Sequence, residues 1–181
     1  MLTNLHWKLK TTYNKPSNDM SGGADLEENL SVKTMWEKYL LEIKGDKDTS
    51  ELKYDSWYFC NNEKDANELV DLVKKGIKRG TASLLLFYEL EKASVPQKGT
   101  HSVITNWEGI AQCVLKDINV YILPFKNVSD ELAEIEGEGD KSLDYWRQVH
   151  IKYFSEELAE KGLVFNEDMF VVFEEFEVVY Q

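Results

Sequence analysis

Carboxylates occupy every second position of residues 134–140, a segment that also contains Gly137 and Gly139 and runs into Ser142. Like charges at this density repel one another, and the glycines disfavour a helix until Ser142 is reached. The segment must therefore be held in place by contacts outside itself. The simplest interpretation is a solvated acidic loop ahead of a capped helix. The alternative is that the loop faces a cationic segment elsewhere in the chain.

A basic stretch at residues 74–81 is the natural complement of this loop. Three lysines and an arginine lie between positions 74 and 79, glycines lie at 76 and 80, and Thr81 follows. Cations in the last turn of a helix complement its dipole and glycine ends helices, so the pattern has a purely structural explanation. The functional alternative is a tight turn from which Lys78 and Thr81 project together. A lysine there can hold an anion or, if burial lowers its pKa, act as a base for the hydroxyl.

Composition limits the classes of function. The 181 residues suit one domain of ordinary size, and a hydrophobic content of 43% indicates a globular fold. The formal net charge of −12 repels nucleic acid and anionic lipid at long range, so any RNA contact must be local and the ligand small or short. Cys60 and Cys113 show no metal-binding spacing. We expect a soluble, cytoplasmic protein with no membrane segment, no metal site and no cofactor.

The periodicity of apolar residues predicts an α+β domain. We expect a small antiparallel, partly closed β-barrel with flanking helices, spanning residues 27–181, preceded by an N-terminal arm at residues 1–26. The predicted helices begin at Leu30, at Asn62 (as a cap) and at Ser142, with a short helix at 129–135. The predicted strands lie at 81–88, 101–105, 110–122 and 170–180.

Two stretches of the sequence resemble the ASCH domains, which belong to the PUA-like superfold. Residues 76–84 (GIKRGTASL) are similar to the GxK signature of that family, which lies between a helix and the first barrel strand. Residues 136–140, followed by Ser142 and the pattern Trp146-Arg147-x-x-His150, are typical of its longer bacterial members. The closing residues 176–180 also fit. The resemblance runs from about residue 30 to residue 181.

The resemblance implies two functions. PUA-like domains are known chiefly as RNA-binding modules, so it implies that RNA, a nucleoside or a nucleotide binds in a cleft between the Lys78 turn and residues 136–140. A short relative hydrolyses N4-acylated cytidines with a lysine, a threonine and a glutamate, and a longer one has been reported to cleave RNA. Those three residues correspond to Lys78, Thr81 and Glu136, with Glu138 as a rival for the glutamate. Many members carry an arginine where this chain has Ser83.

The remaining candidates are residues that would contact a ligand. We expect such contacts from Arg79, Glu138, Asp140, Arg147 and Trp107, with Arg79 or Arg147 taking over the role of the missing arginine. Trp107 lies in a turn between strands, where it either stacks on a base or covers the end of the barrel. A lysine-to-glutamate salt bridge that closes the barrel mouth is the structural alternative. The leading hypothesis is RNA or nucleotide binding, the second is a hydrolase or ribonuclease, and the third is a protein-interaction module without a small ligand. Composition and motifs do not predict the oligomeric state.

Overall fold

The computed structural model describes residues 29–45 and 49–181 of the chain, and the predicted N-terminal arm at residues 1–26 lies outside the described residues. The chain divides into two compact units. The first comprises the described part of residues 1–70 together with 101–115 and 179–181, and the second comprises residues 71–100 and 116–178.

The described part of the chain contains both helices and strands, as predicted for an α+β fold. In chain order they are α1 (Leu30–Ile43), β1 (Tyr54–Trp57), α2 (Glu63–Lys74), β2 (Gly80–Leu84), α3 (Leu85–Glu91), β3 (His101–Thr105), β4 (Ala111–Pro124), a 3-10 turn (Phe125–Asn127), α4 (Asp130–Glu136), α5 (Leu143–Ala159) and β5 (Phe170–Tyr180). The five strands form one sheet in the order β1-β3-β4-β5-β2. Within the described residues the sheet does not close, which agrees with the predicted partly closed barrel.

The core of the first unit is built by α1. Asn29 caps this helix by accepting a hydrogen bond from the backbone N–H of Ser31 at 2.9 Å. One face of α1 is buried against β3 and β4 through Val32, Trp36 and Tyr39. Strand β1 runs parallel to β3, so the sheet contains one parallel pair although the prediction was for antiparallel strands throughout.

Buried residues of β2, β5 and α5 contribute to the core of the second unit. Strand β2 pairs antiparallel with β5, with Gly80 opposite Glu175 and Leu84 opposite Val171. A Cβ atom at Gly80 would lie 2.7 Å from the Phe173 ring, so the glycine allows the ring to pack directly on the start of β2. Helix α5 buries an apolar and aromatic face formed by Trp146, His150, Phe154 and Leu158.

One predicted strand is wrong beyond its midpoint. Residues 81–88 were expected to be extended, but β2 ends at Leu84 and Leu85–Glu91 form the helix α3. A short apolar run does not distinguish a buried strand from a buried helix by its period. The leucines and glutamates from Leu85 onward are good helix formers, and Phe87 and Tyr88 reach the core from the helix. The other predicted elements are found within a few residues of their expected bounds.

No helix in the described part of the chain is long and apolar enough to cross a membrane.

Candidate functional site

The basic turn follows the end of α2 and has a fixed backbone. Gly76 adopts a left-handed conformation with φ of 69°, and the backbone N–H groups of Ile77 and Lys78 both return to the carbonyl of Leu72, at 2.9 and 3.2 Å. The next residue, Arg79, is held on both sides. Its N–H donates to the carbonyl of Ile135 at 2.9 Å, and its carbonyl accepts from the N–H of Phe176 at 2.8 Å. The turn is therefore fastened to the end of α4 and to β5.

The acidic loop lies directly on this turn. Helix α4 ends at Glu136, and Gly137 follows in the left-handed conformation with φ of 75°. A Cβ atom at Gly137 would overlap the carbonyl of Ile77, so only glycine permits the two backbones to approach this closely. The loop that sequence reasoning left without support is thus held by the basic turn.

Side chains from the two segments form what we call the ion cluster: Lys78, Glu136, Glu138 and His150. The Nζ atom of Lys78 lies 3.2 Å from Oε1 of Glu136 and 2.5 Å from Oε1 of Glu138. The side chains of Lys78, Glu136 and Glu138 expose 1%, 2% and 17% of their surface. The lysine-to-glutamate salt bridge is therefore formed, and it is almost fully buried.

Helix α5 supplies the remaining contacts of Glu136. The indole N–H of Trp146 donates to Oε2 of Glu136 at 2.5 Å, and Nε2 of His150 lies 3.4 Å from Oε1. The His150 ring stacks on the Trp146 ring at 4.1 Å between centroids, and its Nδ1 lies 2.9 Å from the Trp146 carbonyl. Both oxygens of the buried carboxylate therefore have partners, as burial requires.

The charges within the ion cluster decide its protonation. Burial alone would raise the pKa of Glu136, but the nearby charges of Lys78 and His150 outweigh it and hold that pKa well below its usual range. Burial would lower the pKa of Lys78 and of His150, yet Glu136 and Glu138 outweigh it and raise both. Lys78 is accordingly an ammonium at neutral pH. The raised pKa of His150 favours the imidazolium that pairs with Glu136.

Thr81 lies on β2, opposite Glu174 of β5. It is buried, and its hydroxyl makes no hydrogen bond to another described side chain. A hydrolase built on Lys78, Thr81 and Glu136 needs an uncharged lysine as the base and a protonated carboxyl as the acid. The raised pKa of Lys78 keeps the lysine charged, and the lowered pKa of Glu136 keeps the carboxyl group deprotonated. Both states are the opposite of what the hydrolase needs.

Two predicted ligand residues adjoin Lys78, and we call this pair the rim: Arg79, which follows Lys78 in the chain, and Glu138, which is itself a member of the ion cluster. The Arg79 side chain is exposed and makes no ion pair with the described residues. Glu138 is half-buried, and one of its carboxylate oxygens, Oε1, pairs with the ammonium of Lys78. Asp140, by contrast, accepts from the N–H and the hydroxyl of Ser142 at 2.9 and 2.6 Å, which lowers the pKa of Asp140. The carboxylate of Asp140 therefore binds Ser142, the residue that caps α5.

The other two predicted ligand residues have partners elsewhere. Arg147 donates to the carbonyl of Lys126 at 2.8 Å and lies 3.6 Å from Glu167, so it joins α5 to the segment before β5. Trp107 belongs to the first unit. Its backbone N–H donates to Oδ1 of Asn67 at 3.0 Å, and its ring packs edge-on against the Tyr58 ring.

Sequence reasoning underestimated His150 and missed Tyr145. His150 was noted only within the pattern Trp146-Arg147-x-x-His150, and its placement four residues after Trp146 was the available signal, since residues spaced by four share a helix face. Tyr145 carried no signal of its own. A Cβ atom at Gly139 would overlap the Tyr145 ring, so the ring covers the acidic loop.

The carboxyl and imidazole groups of the ion cluster do not form a metal site. Among residues 29–45 and 49–181 no group of three or more histidine, cysteine or acidic side chains is arranged to hold a metal ion. The ammonium of Lys78 already lies between the two carboxyl groups.

Comparisons with known proteins agree with this architecture. A family model described as the ASCH domain matches residues 55–180. The crystal structure of an ASCH domain from Lactobacillus crispatus JV V101 has 35% sequence identity and a TM-score of 0.81, and the match covers 86% of this chain and 98% of that one. A protein of Enterococcus faecalis V583 has 31% identity and a TM-score of 0.73, covering 83% of this chain and 88% of that one. No curated protein matches the sequence.

Proposed function

The chain belongs to the ASCH domain family, and from this membership we propose that it binds single-stranded RNA, a nucleotide or a nucleoside at the rim formed by Arg79 and Glu138. ASCH domains have the PUA-like fold and are associated with RNA binding. In this chain the proposal needs a cation for the phosphate and a polar group for the base. Arg79 supplies the cation, and Glu138 of the ion cluster supplies the polar group.

The observation that carries the proposal is the state of Arg79. Its backbone is fixed on both sides by hydrogen bonds to Ile135 and Phe176, while its side chain is exposed and pairs with no described carboxylate. A guanidinium held in this way loses little backbone freedom on binding and can form two parallel hydrogen bonds to a phosphate. Lys78 is buried and does not have this freedom, so the phosphate contact is assigned to Arg79.

The ion cluster contributes by positioning. Lys78 holds one oxygen of Glu138, which leaves the second oxygen available to accept a hydrogen bond from a base amino group. The formal net charge of −12 opposes long polyanions, so a short oligonucleotide or a single nucleotide suits the site better than long RNA.

The alternatives differ in what they require. The hydrolase or ribonuclease hypothesis assigns catalysis to Lys78, Thr81 and Glu136, and it requires substrate binding to reverse the pKa directions of the lysine and the glutamate. The protein-interaction hypothesis requires no affinity for any nucleotide. RNA or nucleotide binding is preferred because it uses the charged state of the ion cluster as it stands.

Fluorescence anisotropy with a labelled RNA hexamer tests the proposal. Arg79→Ala should weaken binding about tenfold or more and reduce the salt dependence by about one phosphate contact. Lys75→Ala is the matched control, because Lys75 is an exposed cation on the same turn, and it should leave the affinity nearly unchanged. Equal losses in both variants would indicate a general charge effect, and no binding by the wild type would overturn the proposal.

A further inference from the structure

We propose that Glu138 selects the base at the rim, so that adenine and cytosine, which carry an exocyclic amino group, bind in preference to hypoxanthine and uracil, which carry a carbonyl group in its place. This inference rests on the proposed function and narrows its ligand class. The proposed function requires only that a nucleotide or RNA binds, whereas this inference states which bases bind more tightly.

The two carboxylate oxygens of Glu138 are in different situations. Oε1 accepts a hydrogen bond from the Lys78 ammonium at 2.5 Å, whereas Oε2 makes no hydrogen bond or ion pair with any described residue. Among residues 29–45 and 49–181, no side-chain oxygen of the ion cluster is both buried and without a hydrogen-bond partner. Oε2 is therefore accessible to solvent. A ligand can contact this oxygen without displacing Lys78.

Glu138 is also the member of the ion cluster that a ligand can reach. The side chains of Lys78 and Glu136 expose only 1% and 2% of their surface, and Glu138 exposes 17%. A carboxylate in an ion pair has no proton to donate and acts only as an acceptor. The ion cluster therefore offers a hydrogen-bond acceptor to the ligand and keeps its ammonium donor covered.

The position of this acceptor is set before a ligand arrives. The carbonyl of Glu138 accepts from the N–H of Lys141 at 2.8 Å, and the preceding residue, Gly137, packs closely on the carbonyl of Ile77. Together with the bond from Lys78, these contacts hold both the backbone and the side chain of Glu138. An acceptor held in this way loses little conformational entropy on binding.

The edge of the base decides whether it can use such an acceptor. The N6 amino group of adenine and the N4 amino group of cytosine are donors, and acidic side chains accept from cytosine N4 in nucleic-acid complexes. Hypoxanthine and uracil present a carbonyl oxygen at the same ring position, and two acceptors repel each other. Their ring N–H is adjacent to this carbonyl, so a contact to the N–H also brings the carbonyl oxygen close to the carboxylate. The bare acceptor therefore favours the amino-bearing bases.

The two charges of the rim remain separate in the described structure. Arg79 forms no ion pair with Glu138 or with any other described carboxylate, although it directly follows Lys78, the partner of Glu138. The guanidinium is thus left for the phosphate and Oε2 is left for the base. A nucleotide has one anionic end and one end that can donate, which suits this pair.

The test compares ligands that differ only in the exchange of an amino group for a carbonyl group. Binding of hexa-cytidylate and hexa-uridylate RNA is measured by fluorescence anisotropy, and binding of adenosine and inosine monophosphate by NMR titration. The wild type should bind the amino-bearing member of each pair about tenfold more tightly. Glu138→Gln should reduce each preference to within about twofold, because an amide both donates and accepts.

Two further variants serve as controls. Glu134→Gln removes the same charge from an exposed position of the same acidic segment, and it should retain the preference of about tenfold. Arg79→Ala should weaken both members of each pair by the same factor, because its contact is with the phosphate that they share.

The outcomes separate this inference from the proposed function. If the wild type binds both members of each pair equally and Arg79→Ala weakens them all, selection by Glu138 is refuted and the RNA-binding proposal stands. A preference that survives in Glu138→Gln would show that another group selects the base, which also refutes the inference. If the wild type binds none of the four ligands, both are overturned. The wild-type comparison needs no variant, and circular dichroism melting shows whether Glu138→Gln is folded.

Discussion

The Nζ atom of Lys78 lies 3.2 Å from Oε1 of Glu136, and the two side chains expose only 1% and 2% of their surface. Taking two charges out of water is costly, and their attraction repays this cost only where the geometry and the surrounding hydrogen bonds are good. Here Glu138, His150 and Trp146 supply those additional contacts. The salt bridge fixes the basic turn against the acidic loop and thereby sets the position of the rim.

Removing one partner of this salt bridge should be strongly destabilising. Lys78→Met leaves two carboxyl groups facing each other in a buried site, and we expect a loss of about 3–5 kcal/mol in the free energy of unfolding. Glu136→Leu should cost a similar amount, because Lys78 then keeps only Glu138 while the His150 imidazolium and the Trp146 indole N–H lose their buried carboxylate. Urea denaturation measures both. The double variant should lose less than the sum of the two single losses, and Lys75→Met on the exposed part of the turn should lose little.

The backbone contact between the turn and the loop gives a second prediction. Gly137 and Gly76 have similar φ values of 75° and 69°, but a Cβ at Gly76 meets nothing within 4 Å whereas one at Gly137 overlaps the carbonyl of Ile77. Gly76→Ala should therefore cost only the left-handed strain, about 1 kcal/mol. Gly137→Ala should cost about 2 kcal/mol more, because the loop must move away from the turn. Equal losses by thermal denaturation would show that the close approach is unimportant.

His150 predicts a pH dependence of stability. Its pKa is raised in the folded protein, because Glu136 and Glu138 outweigh the opposing effect of burial. A raised pKa means that the folded state holds the proton more tightly, so the stabilisation is complete below the unfolded pKa of about 6.5 and is lost as the pH rises through the folded value. The free energy of unfolding should decline with rising pH above about 6.5. His150→Gln should remove this decline.

Glu157 also titrates close to the pH range of His150, so the test on His150 needs a control for this glutamate. Glu157 is half-buried, and burial raises its pKa to about 7. The folded state therefore holds this proton more tightly too, and stability falls as the pH rises from about 4.5 to about 7. The His150 comparison is best made in the Glu157→Gln background, which removes the contribution of that glutamate. A decline that survives His150→Gln in that background would contradict the assignment.

Substitution of Thr81 distinguishes the binding hypothesis from the hydrolase hypothesis. Because its buried hydroxyl makes no hydrogen bond to Lys78 or Glu136 in the described structure, Thr81→Ala should leave RNA affinity unchanged within about twofold. We also expect no turnover of N4-acetylcytidine or RNA oligomers by the wild type, measured by liquid chromatography. Turnover that disappears in Thr81→Ala and in Glu136→Gln, with binding retained, would establish the hydrolase instead.

Sequence patterns predicted most of the fold because the long elements have clear periods. The caps at Asn62 and Ser142 and the apolar spacing of α1 and α2 were readable directly. The helix α3 was missed because its first residues continue the apolar run of β2 without a break. The parallel pairing of β1 with β3 depends on long-range packing, which a local pattern does not contain.

The meeting of the acidic loop with the basic turn was also predicted, since opposite charges in two glycine-containing segments favour contact. Their burial was not predicted. The exposure of a lysine depends on packing between distant segments, and the salt bridge of Lys78 with Glu136 and the contacts of Trp146 and His150 with Glu136 arise only in the folded chain. For the same reason the sequence left open whether burial would lower the pKa of Lys78, and in the folded chain the two carboxyl groups raise it. No sequence pattern predicted the contact between the Tyr145 ring and Gly139.

The central claim is that the ion cluster around Lys78 positions the rim, which binds single-stranded RNA, a nucleotide or a nucleoside. Amide and indole NMR spectra of the 15N-labelled protein, recorded during titration with hexa-adenylate RNA, test this most directly. The account predicts that the largest shifts occur at the amides of Arg79, Glu138 and Gly139, with a smaller shift of the Trp146 indole N–H that donates to Glu136. Shifts confined to the Trp107 turn, or spectra that do not change at saturating RNA, would contradict it.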